Sequence, residues 1–186
     1  MKKSTKLIAA ALFAVAIFFG SNVKAQMITP DKLRFGIGVE GGIVTGNAHD
    51  FSNLELGGTG RLQYGVSNNF AITLTSGYYN FFGKTEPGTS DKYQSLGMVP
   101  VKAGIKAFFA KNLYFGAEAG AGFETKTFLP QDVDERFAEK DTKLILSPAI
   151  GYASKSWDVG VRYENYSDQS NSYGLVGLRV AYGFGL

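Results

Sequence analysis

Thirteen charged residues frame the chemistry open to this chain: Arg34, Glu40, Glu55, Arg61, Lys102, Lys106, Glu118, Glu124, Lys143, Asp158, Arg162, Glu164 and Arg179. Each occupies an alternate position in a segment that is otherwise apolar or glycine-rich. Seven are basic and six acidic. A charge taken out of water must be paired or hydrated, because an isolated buried ion is expensive. Near-balance of sign therefore predicts mutual pairing inside a closed structure. The other chemistry open to such residues is a solute path lined by charge rings. The expected polar network comprises Arg34, Glu40, Arg61, Lys102, Lys106, Glu118, Glu124, Lys143, Arg162, Glu164 and Arg179. Whether these groups close on one another or leave a water path decides between the two.

Other candidates are weaker. His49 is the single histidine and stands beside Asp50 and Ser52. A Ser-His-acid nucleophile works only when the three groups meet in space, and one histidine in a polar loop is ordinarily solvated. Gly36-Ile37-Gly38-Val39-Glu40-Gly41 matches G-x-G-x-x-G. That pattern binds dinucleotides where a strand ends and a helix begins, whereas here it lies inside one alternating segment. Gln131-Asp132-Val133-Asp134-Glu135-Arg136, followed by Glu139 and Asp141, gathers oxygen ligands of the kind Ca²⁺ takes. Its spacing departs from an EF-hand loop, and Arg136 and Lys140 offset its charge, so a solvated loop is expected. Cysteine is absent, which removes disulfides, thiolate metal sites and cysteine nucleophiles. No catalytic residue, metal site or cofactor is predicted.

The elements that must position the charges follow a two-residue rhythm. From Leu113 to Thr125, Leu113, Phe115, Ala117, Ala119, Ala121 and Phe123 alternate with Tyr114, Gly116, Glu118, Gly120, Gly122 and Glu124. Successive side chains of a strand point to opposite faces. The pattern predicts eight strands: Leu33–Thr45, Leu54–Tyr64, Phe70–Phe82, Ser95–Phe109, Leu113–Lys126, Thr142–Ala153, Trp157–Tyr166 and Tyr173–Leu186. One face carries Ile37, Val39, Leu62, Ile72, Leu74, Val101, Ile105, Leu146, Ile150, Val161, Leu178 and Val180, with no charge. The other carries the thirteen ions and many glycines. A soluble barrel would turn the apolar face inward; a membrane barrel turns it to lipid. Glycine weakens strands and suits a crowded lumen better than a solvated surface. Aromatic residues gather at segment ends. Phe35, Tyr64, Phe70, Phe108, Phe115, Tyr152, Trp157, Tyr182 and Phe184 lie toward the short turns, and Tyr78, Phe82, Phe123 and Tyr163 toward the long loops, as interfacial girdles. The fold class expected is all-β, an eight-stranded antiparallel up-and-down transmembrane β-barrel.

Residues 1–25 read as a cleaved signal peptide, with Lys2, Lys3 and Lys6 ahead of the apolar run Leu7–Phe19 and Val23-Lys24-Ala25 at the cleavage site. The run is shorter than the roughly 20 residues of a spanning helix. The barrel domain then occupies 26–186. The chain has 19 basic and 16 acidic residues, and four lysines leave with the signal, so the mature net charge is −1. A basic pI is thus no pointer to nucleic acid, which is not expected as a partner.

Val99-Pro100-Val101-Lys102-Ala103-Gly104-Ile105-Lys106, Leu113-Tyr114-Phe115-Gly116-Ala117-Glu118-Ala119-Gly120 and Trp157-Asp158-Val159-Gly160-Val161-Arg162-Tyr163-Glu164 resemble the small eight-stranded outer-membrane β-barrel family of Gram-negative bacteria, which includes porin-like proteins. Gly177-Leu178-Arg179-Val180-Ala181-Tyr182-Gly183-Phe184 resembles the last strand that the barrel-assembly machinery recognises, here followed by Gly185-Leu186. Ala25-Gln26 at the cleavage site resembles Bacteroidota signal peptides. The resemblance implies an outer-membrane location, contact with outer-membrane lipid and lipopolysaccharide, assembly through the C-terminal strand, and a monomer. It implies no enzyme and no particular surface ligand. The functions it leaves open are a structural or surface-interaction role through four extracellular loops around a filled polar lumen, a narrow porin-like channel for small solutes, and lipid modification, for which His49 is the group to test.

Overall fold

The computed structural model describes residues 32–85, 93–127, 140–168 and 172–186. The predicted signal peptide and the acidic stretch 131–139 lie outside these residues. All eight predicted segments are strands, with limits moved by at most three residues: β1 (Leu33–Gly46), β2 (Ser52–Ser67), β3 (Phe70–Gly83), β4 (Leu96–Phe108), β5 (Leu113–Lys126), β6 (Thr142–Ala153), β7 (Trp157–Ser167) and β8 (Ser172–Gly185). Every neighbour pair is antiparallel, and β1 pairs with β8 from Arg34↔Gly185 to Gly46↔Tyr173, so the sheet closes into a barrel. Closure leaves no sheet edge with unpaired backbone groups. The pairing skips Gly77 and Tyr78 opposite Pro100 on β4, and Ser147 and Pro148 on β6, where proline supplies no N–H to the ladder.

The alternation resolves as expected. Every outward position assigned from the apolar face faces away from the lumen, and several are strongly exposed, with Val39 at 68% and Ile37 at 58%. The charged positions turn inward, and Lys102, Glu55 and Glu164 are fully buried. Glycines make room for lumen rings. A Cβ on Gly57 would lie 2.5 Å from the Tyr79 ring, and one on Gly151 would lie 2.5 Å from the Tyr114 ring, so each tyrosine lies across a strand that bears no side chain there. Gly46, at φ 76°, turns the chain out of β1 into a 3₁₀ helix, Asn47–Asp50.

Two apolar clusters divide the lumen. At the long-loop end Val44, Ala48, Tyr79, Phe81, Leu96, Met98, Ile145, Tyr166, Tyr173 and Leu175 pack together. Tyr166 and Tyr173 stack at 4.9 Å, and the Phe81 ring meets Tyr166 edge-on at 5.8 Å. Ala48 carries the 3₁₀ helix down onto this cluster. At the short-turn end Ala71, Phe108, Tyr114 and Ala153 form a smaller group. Phe108 corrects one expectation: it belongs to the lumen, not to the short-turn girdle. It stands two positions from Lys106 on the same strand, so the pleat turns both to the same side. Tyr64, Phe115, Tyr152, Trp157, Tyr182 and Phe184 at one end, and Tyr78, Phe82, Phe123 and Tyr163 at the other, are exposed as the girdle reading requires.

Candidate functional site

Between the two apolar clusters lies a continuous ion network. Arg162 from β7 is its hub. Its Nη1 is 2.5 Å from Glu40 Oε2 (β1), its Nε 3.0 Å from Glu164 Oε1 (β7) and its Nη2 3.7 Å from Glu55 Oε2 (β2). Glu164 pairs with Lys102 (β4). Lys102 reaches Glu118 (β5) at 3.6 Å, and Glu118 holds Arg61 (β2) at 3.0 Å. Asp158 (β7) pairs with Lys106 (β4) and lies 3.9 Å from Arg61. Arg179 (β8) donates from Nε to Glu40 at 3.1 Å. Seven of the eight strands contribute, all but β3 and β6 supplying an ion, and β3 supplying hydroxyls: Thr75 donates to Glu118 at 2.8 Å and accepts from Arg61 Nε at 2.9 Å.

Tyrosines join this network to the apolar clusters. Tyr79 donates to Glu40 at 3.0 Å and accepts from Lys102 at 2.9 Å while its ring packs above. The Tyr166 hydroxyl donates to Glu164. Tyr114 donates to Asp158 at 2.8 Å, and the Lys106 ammonium lies 4.2 Å from the centre of its ring. The connected ions are Arg61, Lys102, Lys106, Arg162 and Arg179 against Glu40, Glu55, Glu118, Asp158 and Glu164. The signs balance, as burial requires.

Three predicted members stand apart from it. Lys143 and Glu124 sit at the long-loop rim, 3.7 Å apart, where Lys143 also pairs with Asp141 at 3.3 Å and with Asp168. Arg34 stands at the short-turn mouth and donates to the Ser154 and Lys155 carbonyls. All three share the inward face with the network, but the face alone does not fix height along the barrel. Glu55 and Asp158 were on the predicted inner face and belong to the network, though they were not among its expected members. The aromatic plug was missed. Its signal was parity: Tyr79 is in phase with Thr75, Tyr166 with Arg162, and Leu175 with Arg179.

The weaker candidates are placed as follows. The G-x-G-x-x-G stretch runs within β1, and no helix follows it. His49 Nδ1 lies 3.1 Å from the Val44 carbonyl, to which it donates as that tautomer, and the Ser52 hydroxyl donates to the Leu54 carbonyl at 3.3 Å. Their neighbours are thus backbone groups and not one another. No group of three metal-ligating side chains is present among the described residues. Two clefts flank the network on its short-turn side. One, lined by Lys106, Tyr114, Glu118, Ser147 and Arg162 among others, shares Arg61 and Arg179 with the other, which opens at the short-turn mouth. No described helix is long and apolar enough to cross a membrane, a statement that does not bear on crossing by strands.

No family model matches the chain. No curated protein matches it either. Solved structures do. The chain is similar to the attachment invasion locus protein Ail of Yersinia pestis (TM-score 0.58, 13% identity, 84% of this chain and 100% of that one). It is similar to the N-terminal β-barrel domain of OprF from Pseudomonas aeruginosa (TM-score 0.54, 11% identity, 81% and 97%). It is also similar to the outer membrane protein OprG of Pseudomonas aeruginosa (TM-score 0.51, 8% identity, 87% and 99%). The likeness is one of fold, that of a small eight-stranded barrel of the outer-membrane type.

Proposed function

We propose that this chain spans the outer membrane as a closed, non-conducting barrel and acts as a rigid scaffold that presents its long-loop end at the cell surface. The observation that carries the closed-lumen reading is the stacking of two seals. An aromatic plug fills the long-loop end, and a charge-balanced network drawn from strands all round the wall fills the middle. Eight strands leave an interior that side chains can fill, and here they fill it twice. The inverted distribution supports the membrane setting: a continuous exposed apolar belt outside, buried ions inside, and aromatic girdles at both ends. In water that belt would be a far larger apolar patch than a soluble monomer carries.

The orientation that follows puts the short turns and both ends of the barrel sequence in the periplasm and the long connections outside. The C-terminal strand then serves as the assembly signal, lipopolysaccharide and phospholipid cover the belt, and the barrel is a monomer. Surface interaction through the loops fits the scaffold, since binding residues commonly sit on loops held by a rigid frame. The name of the Yersinia pestis neighbour points to such a role for that protein.

Refolded protein inserted in planar bilayers tests the closed lumen. The expected record shows no steady conductance. A stable, ion-selective conductance in the unaltered chain would return the ion network to the role of a solute path and favour the narrow-channel reading. Protease added to intact cells tests the orientation: cuts are expected within 83–94 or 127–141, and cleavage seen only after the outer membrane is opened would reverse it.

A further inference from the structure

We propose that the short-turn mouth of the lumen is a binding site for a phosphate-sized oxyanion, held by the guanidinium groups of Arg34, Arg61 and Arg179. The inference rests on the proposed orientation only in naming the periplasm as the compartment that supplies the anion.

Three observations meet there. The first is a small cleft of about 30 Å³, open at its mouth and lined by Arg34, Gly36, Arg61, Gln63, Asp158 and Arg179 among others. The second is charge. The ion network below the plug is balanced without Arg34, and among the described residues Arg34 has no carboxylate partner, only the Ser154 and Lys155 carbonyls. Asp158 also lines the cleft, but Lys106 and the Tyr114 hydroxyl hold its two oxygens. The third is an unused donor. Arg179 is 4% exposed, its Nε serves Glu40 and Thr59, and its Nη2 is buried with no hydrogen-bond partner. A buried donor left unmade is unfavourable by the full desolvation of that group. Arg61 adds Nη1, which lies 3.9 Å from Asp158, beyond hydrogen-bond reach.

The wall is shaped for these groups. A Cβ on Gly183 would lie 2.9 Å from Arg34 Nη2, and one on Gly38 would lie 3.1 Å from Arg179 Nη2. Glycine at both positions leaves space for planar guanidiniums. Single N–H donors from several arginines that line one cleft match the separate oxygens of phosphate better than a spherical halide, because each oxygen can accept from a different guanidinium. The open mouth keeps the anion partly hydrated, so binding is weak and reversible.

The test is a titration of the folded barrel in micelles with sodium phosphate, against sodium chloride at matched ionic strength, followed by amide NMR. Phosphate is expected to give saturable shifts at Gly36, Gly38 and Gly183 that chloride does not reproduce. Arg34→Gln is expected to weaken phosphate binding about tenfold or more, and Arg34→Lys, which keeps the charge but loses the fork, by less. Linear, unsaturated shifts with phosphate, or equal shifts with chloride, would overturn the site, and so would saturation unchanged in Arg34→Gln. Should Arg34→Gln fail to fold, the two-anion comparison on the unaltered barrel still decides. Conductance is read separately, so loss of the closed-lumen reading and loss of this site are distinguishable.

Discussion

The lumen is filled in two stretches, by different chemistry. Its long-loop end is packed with rings and aliphatic chains, and its middle with ions. The plug holds by burial of apolar area, which is non-directional and tolerates exchange of similar shapes. The network holds by partner matching, so each member's removal strands the others. The plug therefore supplies bulk, and the network supplies register: Glu40 and Arg179 are 139 residues apart and meet only if β1 and β8 pair in the observed alignment. Tyr79 and Tyr166 belong to both regions, rings in one and hydroxyls in the other.

The comparison breaks most sharply at Arg162. Arg162→Ala leaves Glu40, Glu55 and Glu164 without their shared cation and is expected to destabilise the barrel by about 3–5 kcal/mol. Urea unfolding in a lipid bilayer reads this, and a loss below about 1 kcal/mol would show that water, not pairing, solvates the lumen. Phe81→Ala comes next, at about 3 kcal/mol, the low end for a buried aromatic, since the rim beside it can relax. This variant should still fail to conduct, because the network below remains shut. A pore opened by Phe81→Ala alone would make the plug the only seal.

The outside of the barrel offers a control of intermediate size. Leu178→Arg, at the midpoint of β8 on the apolar belt, is expected to lose about 2–3 kcal/mol in bilayers. No loss there would argue that this face meets water. The smallest effect is expected at Glu55→Gln. Glu55 is fully buried, yet its one ion pair is 3.7 Å long and neither carboxylate oxygen has a hydrogen bond. Trading this charge for an amide should change stability by less than about 1 kcal/mol, in either direction. A loss matching that of Arg162→Ala would mean that the long pair is as necessary as the short ones.

Much of this was legible in the residues themselves. Strand number, strand limits and the division into an apolar and a charged face follow from a period of two, because the pleat leaves each side chain one of two faces, and the glycines and aromatic girdles then point the charged face inward. Parity also placed Phe108, Tyr79, Phe81, Tyr166, Tyr173 and Leu175 on the inner face. Of these, only Phe108 is read from its aromatic character as a girdle residue, although position in the alternation outranks side-chain type. A one-residue slip would have moved every one of them to the other face.

What the residues could not reveal is height and partnership. Arg34, Lys143 and Arg162 share a face in the alternation, yet one caps a turn, one ties the outer rim and one is the hub of the core. The difference comes from strand tilt and from the register of each neighbouring pair, which only closure of the whole sheet fixes. Which charge meets which is therefore a property of the barrel. That the charges share one face, and that nothing charged lies on the other, is a property of the sequence, because local pleat geometry needs no partner strand to sort side chains into two faces.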